Sequence, residues 1–241
     1  MNNFLNLFIG EVQRMKKYHI LSASVFVSFF WIGMVHLLNV PDITFLFLMV
    51  VFFDLVSMSI LMVGVTIFFE KQEGVLKSLI VSPISKTEFL TAKTLGNLVS
   101  NIVTITIVYI YAIIFQDINI NLLAFIGAFF LVGLFHTFVG MLLIYKSRDF
   151  TELLVKMMTY FLLFMIPVVF EQFGLITSRL YSNVLYIIPT KSAATLLEAV
   201  AGNVDLWEIL ISVFYLSIGS IILGYFVFKK FKDFAIRESG V

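Results

Sequence analysis

Six long apolar runs constrain this chain more than any other feature of its sequence. A helix that crosses a bilayer needs about 20 predominantly apolar residues, because each residue adds only about 1.5 Å along the helix axis. Among the six runs only the second contains an Asp, Glu, Lys or Arg residue, namely Asp54. The fifth is short, but it reaches spanning length if its helix begins near Phe150. The sequence therefore predicts an all-α integral membrane protein with six transmembrane helices. The runs occupy residues 18–41, 43–69, 94–116, 118–145, 157–170 and 209–228.

The composition agrees with this prediction and excludes several kinds of site. Hydrophobic residues make up 61% of the chain, whereas soluble domains are about 45–50% apolar. The surplus apolar surface needs lipid to cover it, so we expect a bilayer and no nucleic acid as a partner. The chain has no cysteine, which excludes disulfides, thiolate metal sites and a cysteine nucleophile.

The distribution of basic residues predicts the orientation of the six spans. Of the 16 Lys and Arg residues, all but Arg179 and Lys191 lie before span 1, between spans 2 and 3, between spans 4 and 5, or after span 6. Basic residues collect on the cytoplasmic side of a membrane. We therefore expect a multi-pass plasma-membrane protein with both termini in the cytoplasm. The first span is too long for a cleaved signal peptide, and the absence of transit-peptide features indicates a bacterial membrane.

Several helix boundaries carry recognisable signals. A capping box places a Ser or Asp three residues before a Glu, so that each side chain bonds the other's backbone N–H. The sequence predicts that Pro41 and Asp42 close the first span and cap the second. Three capping boxes are predicted at the starts of spans 3, 5 and 6, at Ser85 with Glu88, Asp149 with Glu152, and Asp205 with Glu208.

Two segments outside the spans are too apolar for free loops. Residues 1–17 carry Phe4, Phe8, Val12 and Met15 at helical spacing, which favours an amphipathic helix at the inner membrane surface over a frayed tail. Residues 171–204, before span 6, include a short helical pattern that ends at Gly202. We expect this external segment to enter the outer leaflet or to cap the bundle.

Motifs for catalysis are absent from the sequence. It contains no HExxH or GxSxG motif, and the three histidines have no partner at metal-ligand spacing. Residues 140–147 imitate a phosphate-binding loop, but Tyr145 replaces its second glycine and the stretch ends a membrane helix. We therefore expect a protein that is not an enzyme and holds no cofactor or metal; any ATP and Mg²⁺ would be bound by another chain.

Asp54 is the one acidic residue within the six predicted spans. A charged Asp at the centre of a spanning helix costs about 2.5–3.5 kcal/mol on insertion scales, so such residues usually face a bundle interior or a wet cavity. Asp54 could line a route, or it could be protonated or hydrogen-bonded between packed helices. It should differ from His136 in depth by roughly 8 Å, so a pair is conceivable. Gly133 and Gly140 share one face with His136, and small residues there favour close helix packing.

The segment between spans 2 and 3, FFEKQEGVLKSLIVSPISKTEFL, is longer and more polar than a hairpin requires. It contains a short amphipathic helix bounded by Gly74 and Pro83, which is typical of a docking element rather than a simple connecting loop. This stretch resembles the ABC-2 type permeases, whose pattern here is Glu-x-x-x-Gly-(Thr)-Leu-x-x-Leu-x-x-(Ser/Thr)-Pro-(Val/Ile)-Ser/Arg. Val75 departs from the usual Thr. The matching residues are Glu70, Gly74, Leu76, Leu79, Ser82, Pro83, Ile84 and Ser85.

The resemblance covers essentially the whole chain as a single transmembrane domain. Within the family, the stretches GVTIFFEKQEGVLKSLIVSPIS and NVLYIIPTKSAATLL are similar to fluoroquinolone export permeases. The resemblance implies that residues 70–88 contain a coupling helix seated on a separate ABC ATPase subunit. It also implies a working unit of two ATPases and two permeases, the second being a copy or a paralogue. Glu73 and Lys77 complete the residues expected to contact the ATPase.

The resemblance further implies a route lined mainly by spans 2 and 5, for a drug, a peptide or a lipid-like substrate. An ordinary polar seam between helices would explain the polar residues of span 5 equally well. The alternative function is an ATP-independent secondary transporter or channel that uses Asp54, although no repeated halves support it. The residues expected along the route are Phe53, Asp54, Ser57, Thr159, Tyr160, Phe164 and Pro167.

Overall fold

The computed structural model describes residues 3–38, 43–115, 118–202 and 204–239, and every regular element in these ranges is helical. In chain order the helices are α1 (Asn3–Lys17), α2 (Ile20–Leu38), α3 (Ile43–Gln72), α4 (Val75–Ile80), α5 (Lys86–Phe115), α6 (Leu122–Tyr145), α7 (Phe150–Gln172), α8 (Arg179–Leu185), α9 (Pro189–Ala199) and α10 (Leu206–Ser239).

The six predicted spans are confirmed. Helices α2, α3, α5, α6, α7 and α10 are long and apolar enough to cross a membrane. Two of them extend past their apolar runs, since α5 begins at Lys86 and α10 continues to Ser239. These extensions lie at the end of the bundle that carries α1 and α4, which we call the basic end. The predicted turn at Pro41 and Asp42 lies outside the described residues.

Helix α3 forms the centre of the bundle. Its most apolar stretch is 78% buried within the chain, against 22% for the corresponding stretches of α2 and α10. Glycines allow its neighbours to approach closely: a methyl group on Gly140 of α6 would lie 2.9 Å from Ile60 Cα, and one on Gly64 would lie 2.6 Å from Leu153 of α7. The predicted packing role of Gly140 is therefore confirmed.

A polar seam joins α3, α5 and α6 inside this packed core. The Asn97 side-chain amide donates to the Ser59 carbonyl at 3.0 Å and to Thr137 Oγ1 at 2.9 Å. The Asn101 amide donates to Ser59 Oγ at 2.6 Å. Such bonds between helices replace water where none is available, and here they fix the register of the three central spans.

The capping signals are largely confirmed. At the start of α7, the Glu152 backbone N–H donates to Asp149 Oδ1 at 2.8 Å. The Glu152 carboxylate in turn accepts from the Arg148 N–H at 2.7 Å, one residue earlier than a regular capping box would give. Helix α10 begins directly after Asp205, but no side-chain bond joins Asp205 to Glu208 in the described chain.

Two of the spans contain a π-helical turn that sequence patterns did not predict. One covers Asp54–Met58 in α3 and the other covers Phe161–Met165 in α7. The second turn lies just before Pro167, which has no N–H to give to the helix ladder. The Phe164 carbonyl accepts a hydrogen bond from the Thr190 hydroxyl of α9. The two turns meet where Ser57 Oγ lies 3.9 Å from Met165 Sδ.

The segment before α10 contains one exposed and one buried helix. Helix α8 has no buried residue, whereas α9 buries a continuous stretch from Thr190 to Leu197. Lys191 bridges to Glu171 at the end of α7 at 2.8 Å, and both side chains are largely buried. The Asn121 N–H donates to the Val200 carbonyl at 2.9 Å. Helix α9 is thus inserted among the spans at the end opposite the basic end.

Candidate functional site

The connection between α3 and α4 depends on one glycine. Gly74 has a φ of +70°, a left-handed conformation that favours glycine. A methyl group there would meet nothing within 4 Å, so the requirement for glycine is conformational rather than steric. The turn ends α3 with the Glu73 N–H on the Phe69 carbonyl at 2.9 Å and lets α4 begin at once with Val75.

Helix α4 has a packed side and an exposed side. Leu76 is 2% exposed within the hydrophobic core, while Leu79 is half-buried. Lys77 and Ile80 are exposed, and Val81, directly after the helix, is 85% exposed. A six-residue helix therefore presents apolar and basic side chains together at its tip.

The chain turns back toward α5 through a hydrogen-bonded segment. Ser82 Oγ donates to the Leu79 carbonyl at 3.0 Å and accepts from the Ile84 N–H at 3.3 Å. The predicted capping box follows: the Glu88 N–H donates to Ser85 Oγ at 3.1 Å, and the Ser85 N–H donates to Glu88 Oε2, also at 3.1 Å. Pro83 is exposed between these two sets of bonds. The tip of the connection is therefore held in one shape by its own side chains.

A groove of about 190 Å³ separates this connection from the extension of α10. Phe231 forms its wall on α10 and stacks on Phe89 of α5 with ring centroids 5.5 Å apart. Two lysines, Lys86 and Lys232, stand in the lining. Apolar side chains in a groove outside the spans offer a place for a protein partner. The lining residues are Leu79, Ile80, Ile84, Lys86, Phe231, Lys232, Ala235 and Ile236.

Directly beneath α4 lies a buried charge cluster, formed by Glu11, Arg14, Glu70 and Lys93. Lys93 Nζ donates to Glu70 Oε1 at 2.8 Å and to Glu11 Oε2 at 3.0 Å. Arg14 bridges to Glu11 at 2.6 Å and to Glu70 at 3.1 Å. Glu70 is fully buried and Lys93 is 2% exposed. The cluster thus joins α1, α3 and α5 through Glu11, Glu70 and Lys93, which are buried, and through Arg14, which is partly exposed.

Within the cluster, Glu11 is held as a carboxylate. Burial by itself would raise the pKa of Glu11, but the Lys93 ammonium and the Arg14 guanidinium outweigh burial and keep this pKa below its ordinary value. The backbone allows the contact because α1 crosses α5 at Gly96, where an added methyl group would lie 3.0 Å from Glu11 Cβ. Glu70, the other carboxylate of the cluster, is fully buried and bonds to Arg14 and Lys93 of its own chain, so it has no exposed surface for contact with a partner.

Further ionic contacts tie the end of α3 to both ends of the chain. The Glu73 carboxylate accepts hydrogen bonds from the Lys17 ammonium at 2.6 Å and from the Tyr18 hydroxyl at 2.9 Å. These two hydrogen bonds lower the pKa of Glu73. Lys71 bridges to Glu238 of α10 at 2.5 Å. The end of α3, next to α4, is therefore joined to both α1 and α10 by ionic contacts.

The residues predicted along a route are only partly brought together. Phe53 and Ser57 are half-buried on a strip of α3 between two other spans. Phe53 packs against Trp31 of α2 with ring centroids 6.0 Å apart, and Ser57 contacts Met165 of α7. The strip is therefore bordered by α2 on one side and α7 on the other.

On α7 the predicted residues point in different directions. Tyr160 is buried and stacks edge-on against Phe164, with ring centroids 5.0 Å apart, and against His136 at 6.2 Å. Thr159 is exposed and donates to the Val155 carbonyl of its own helix at 2.9 Å. Pro167 is half-buried next to the π turn. Tyr160 and Phe164 therefore form one aromatic group, and Thr159 lies outside it.

Asp54 is enclosed in the bundle rather than exposed on the strip. It is 0% exposed, and neither carboxyl oxygen has a hydrogen-bond partner among the described residues. The buried indole nitrogen of Trp31 is a neighbouring donor. His136 Nδ1 bonds the Val132 carbonyl at 2.8 Å, and no hydrogen bond joins it to Asp54. In this conformation Asp54 borders no open space.

Sequence reasoning missed Glu11, Arg14 and Lys93 as functional residues. The signal was present, because Glu11 continues the helical stripe of Phe4, Phe8 and Met15, and a charged residue on an apolar stripe needs a buried partner. Lys93 likewise follows Phe89 and Leu90 on the buried face of α5. The sequence patterns placed Lys93 on the cytoplasmic side with the other basic residues and gave Glu11 no role.

Neither a phosphate loop nor a metal site emerges from the described residues. The stretch from Gly140 to Tyr145 lies in α6, with Gly140 packed on Ile60, so its backbone N–H groups are not free to bind phosphate. No group of three or more His, Asp or Glu residues in the described ranges could hold a metal ion.

Comparison with known proteins gives one match. A family model for an ABC-2 family transporter protein matches residues 34–229, well over half of the chain. The matched range includes α4, both π-helical turns and α9, and it leaves α1 outside. No curated protein matches the chain.

Proposed function

Because the chain belongs to the ABC-2 family of transporter proteins, we propose that it is the membrane-spanning permease subunit of an exporter driven by a separate ABC ATPase. The substrate is hydrophobic or amphipathic, such as a drug, a peptide or a lipid-like molecule. The working unit contains two ATPase subunits and a second permease, which is a copy or a paralogue of this chain.

The observation that carries the proposal is the tip of α4. Ile80 and Val81 are 44% and 85% exposed beside Lys77, at a point where the helix is too short to enter the bilayer. The neighbouring groove adds apolar side chains rimmed by lysines. An ATPase subunit with an acidic, apolar surface would cover this tip, so that α4 acts as the coupling helix.

The contacts of α4 suggest how a push on it would spread. Leu76 is fixed in the core, and the turn at Gly74 connects α4 directly to α3. Glu70 and Glu73 join this turn to α1. We infer that these two glutamates act by holding α1 and α3 together, while Lys77, Val81 and Pro83 touch the ATPase. A rigid unit of this kind supports a switch between two accessible states.

The strip of α3 between α2 and α7 supports a route at the surface where two permeases would meet. Phe53 and Ser57 lie on it, and the Tyr160–Phe164 aromatic group is close by on α7. Aromatic and apolar lining favours an amphipathic substrate over an ion or a sugar. Asp54 would reach such a route only after the π-helical turn changed shape.

Copurification with an ATPase encoded beside the permease tests the proposal. Wild type should retain an active ATPase in mild detergent, and a Lys77→Glu/Val81→Asp variant should lose it. Lys16→Glu is a matched control, since Lys16 is an exposed basic residue of α1 away from the tip. Leu76 is left unchanged because it is buried, and an Asp there would disturb the fold. Failure of wild type to bind any ATPase in detergent or nanodiscs would contradict the proposal.

The alternative function, an ATP-independent transporter or channel, predicts that transport does not depend on an ATPase. It requires transport that persists without ATP and is abolished by Asp54→Asn. Glu73→Ala should leave that transport intact, because Glu73 lies outside the spans. Transport into inside-out vesicles with and without ATP distinguishes the two functions.

A further inference from the structure

A second cleft at the basic end combines an apolar wall with cations that lack acidic partners. It lies between the end of α6 and the extension of α10 and has a volume of about 370 Å³. Its position separates it from the tip of α4 and from the strip on α3. The lining residues are Leu142, Tyr145, Lys146, Lys230, Asp233, Phe234 and Arg237.

The two lysines of this cleft are available to a ligand. Lys146 and Lys230 are exposed, and neither forms an ion pair with any described residue. Lys230 Nζ lies 5.6 Å from the centre of the Phe226 ring, which leaves its N–H groups free. Asp233 is the one acidic residue in the lining, and the third cation, Arg237, is already paired with Glu238 at 3.0 Å, so two unpaired lysines face a single carboxylate.

The negative end of the α6 dipole is already neutralised at this place. The Arg237 guanidinium donates to the Tyr145 carbonyl at 2.7 Å, and the Lys156 ammonium donates to the Lys146 carbonyl. Unpaired carbonyls at a helix C-terminus would otherwise repel an anion. Because both carbonyls are bonded, they no longer oppose the binding of an anion by Lys146 and Lys230 in the cleft.

The lining of the cleft changes from apolar to basic along the membrane normal. Leu142 lies about one helical turn toward the bundle interior from Lys146, and Tyr145 is the last residue of its spanning helix. Lysines just past the end of a span lie at the depth of lipid phosphates. An apolar wall that leads into a basic mouth matches the shape of a phospholipid, whose acyl chains and phosphate lie at those two levels.

We propose that this cleft binds the headgroup of an anionic phospholipid from the leaflet at the basic end. The phosphate lies between Lys146 and Lys230, and the acyl chains run along Leu142. A soluble acidic protein segment fits less well, because the apolar wall faces the depth of the acyl chains rather than water.

The test measures binding of phosphatidylglycerol and phosphatidylcholine to the full chain in mild detergent by native mass spectrometry. Wild type should bind phosphatidylglycerol more tightly. A Lys146→Gln/Lys230→Gln variant should bind it about 30-fold more weakly, since each lysine near an anionic surface contributes about 1 kcal/mol and about 1.4 kcal/mol corresponds to tenfold. The Lys229→Gln/Lys232→Gln control removes the same charge from α10 outside the cleft and should keep wild-type affinity.

Three results would overturn the lipid site. Wild type without a preference for phosphatidylglycerol would do so, whatever the variants show. Equal losses in both double variants would mean that general surface charge attracts the lipid. Inorganic phosphate that competes with phosphatidylglycerol at equal concentration would show that the acyl chains contribute nothing. All four lysines are exposed, so the melting temperature in detergent should be unchanged in both variants.

Discussion

The ammonium of Lys93 lies between the carboxylates of Glu70 and Glu11, almost out of reach of water. Desolvating charged groups costs several kcal/mol per ion, and mutual attraction offsets this only when every partner is in place. Arg14 supplies the second positive charge. At the residue scale, the position of α1 therefore depends on matched charges as well as on apolar contact.

Removing the central cation should be strongly destabilising. Lys93→Met leaves the partly exposed Arg14 as the one cation beside two buried carboxylates, and breaking a buried pair typically costs about 3–5 kcal/mol. We expect a large fall in melting temperature in detergent. Lys86→Met, an exposed position on the same helix, is the control. A similar melting temperature for both variants would show that the cluster does not stabilise the fold.

Substitution by Ala is predicted to have opposite effects on stability at two glycines of α6. Gly140→Ala places a methyl group 2.6 Å from Val63 Cγ1 and 2.9 Å from the Ile60 backbone, and overpacking of this kind costs about 1–3 kcal/mol. Gly127→Ala meets nothing within 4 Å and should stabilise the helix slightly. Chemical denaturation of the two variants in detergent measures the difference. Equal effects would place α6 further from α3 than described here.

At the element scale, the sequence predicted the helix α9 but not the two π-helical turns near it. The apolar pattern of residues 171–204 indicated insertion, and the helix that ends near Gly202 was predicted. The π-helical turns were not, because they depend on partners far along the chain: the Phe164 carbonyl bonds Thr190, and Ser57 meets Met165. A pattern within one helix contains no information about such contacts.

Helix α9 should be released by the loss of a single charge. Lys191→Met leaves Glu171 largely buried without its ammonium partner, so we expect a loss of about 3 kcal/mol. Arg179→Met removes the other basic residue at this end from an exposed site on α8. A single cysteine at Ser192, which is fully buried, should react with maleimide faster in the Lys191 variant only. Unchanged labelling would mean that packing alone holds α9.

At the scale of the whole molecule, five of the six spans were predictable because their apolar runs are long enough by themselves, and the fifth followed once its helix was extended back to Phe150. The short helix α4 and its glycine turn were predictable from local punctuation. The buried charge cluster was not identified, because Glu11, Glu70 and Lys93 are distant in sequence and no local pattern connects them. Asp54 was singled out correctly as unusual, but its enclosure by Trp31 and the surrounding spans required the assembled bundle.

Orientation is the prediction that concerns the molecule as a whole. The chain has no cysteine, so an introduced cysteine is labelled without background. With a membrane-impermeant maleimide, Leu180→Cys on exposed α8 should react in intact cells, and Val81→Cys should react only in inside-out vesicles. Val132→Cys, which is fully buried, is the unreactive control. The reverse pattern would overturn the prediction of cytoplasmic termini.

The bond between Glu11 and Lys93 also imposes an order of events during biosynthesis. The two residues are 82 positions apart, so a ribosome that adds about 5–20 residues per second needs about 4–16 s to make the second after the first. Until the start of α5 emerges, Glu11 lacks its partner Lys93 and has only Arg14 as a cation, so its carboxylate has to stay hydrated. Helix α1 is synthesised before every span, yet it can reach its final position only after two spans have been inserted behind it.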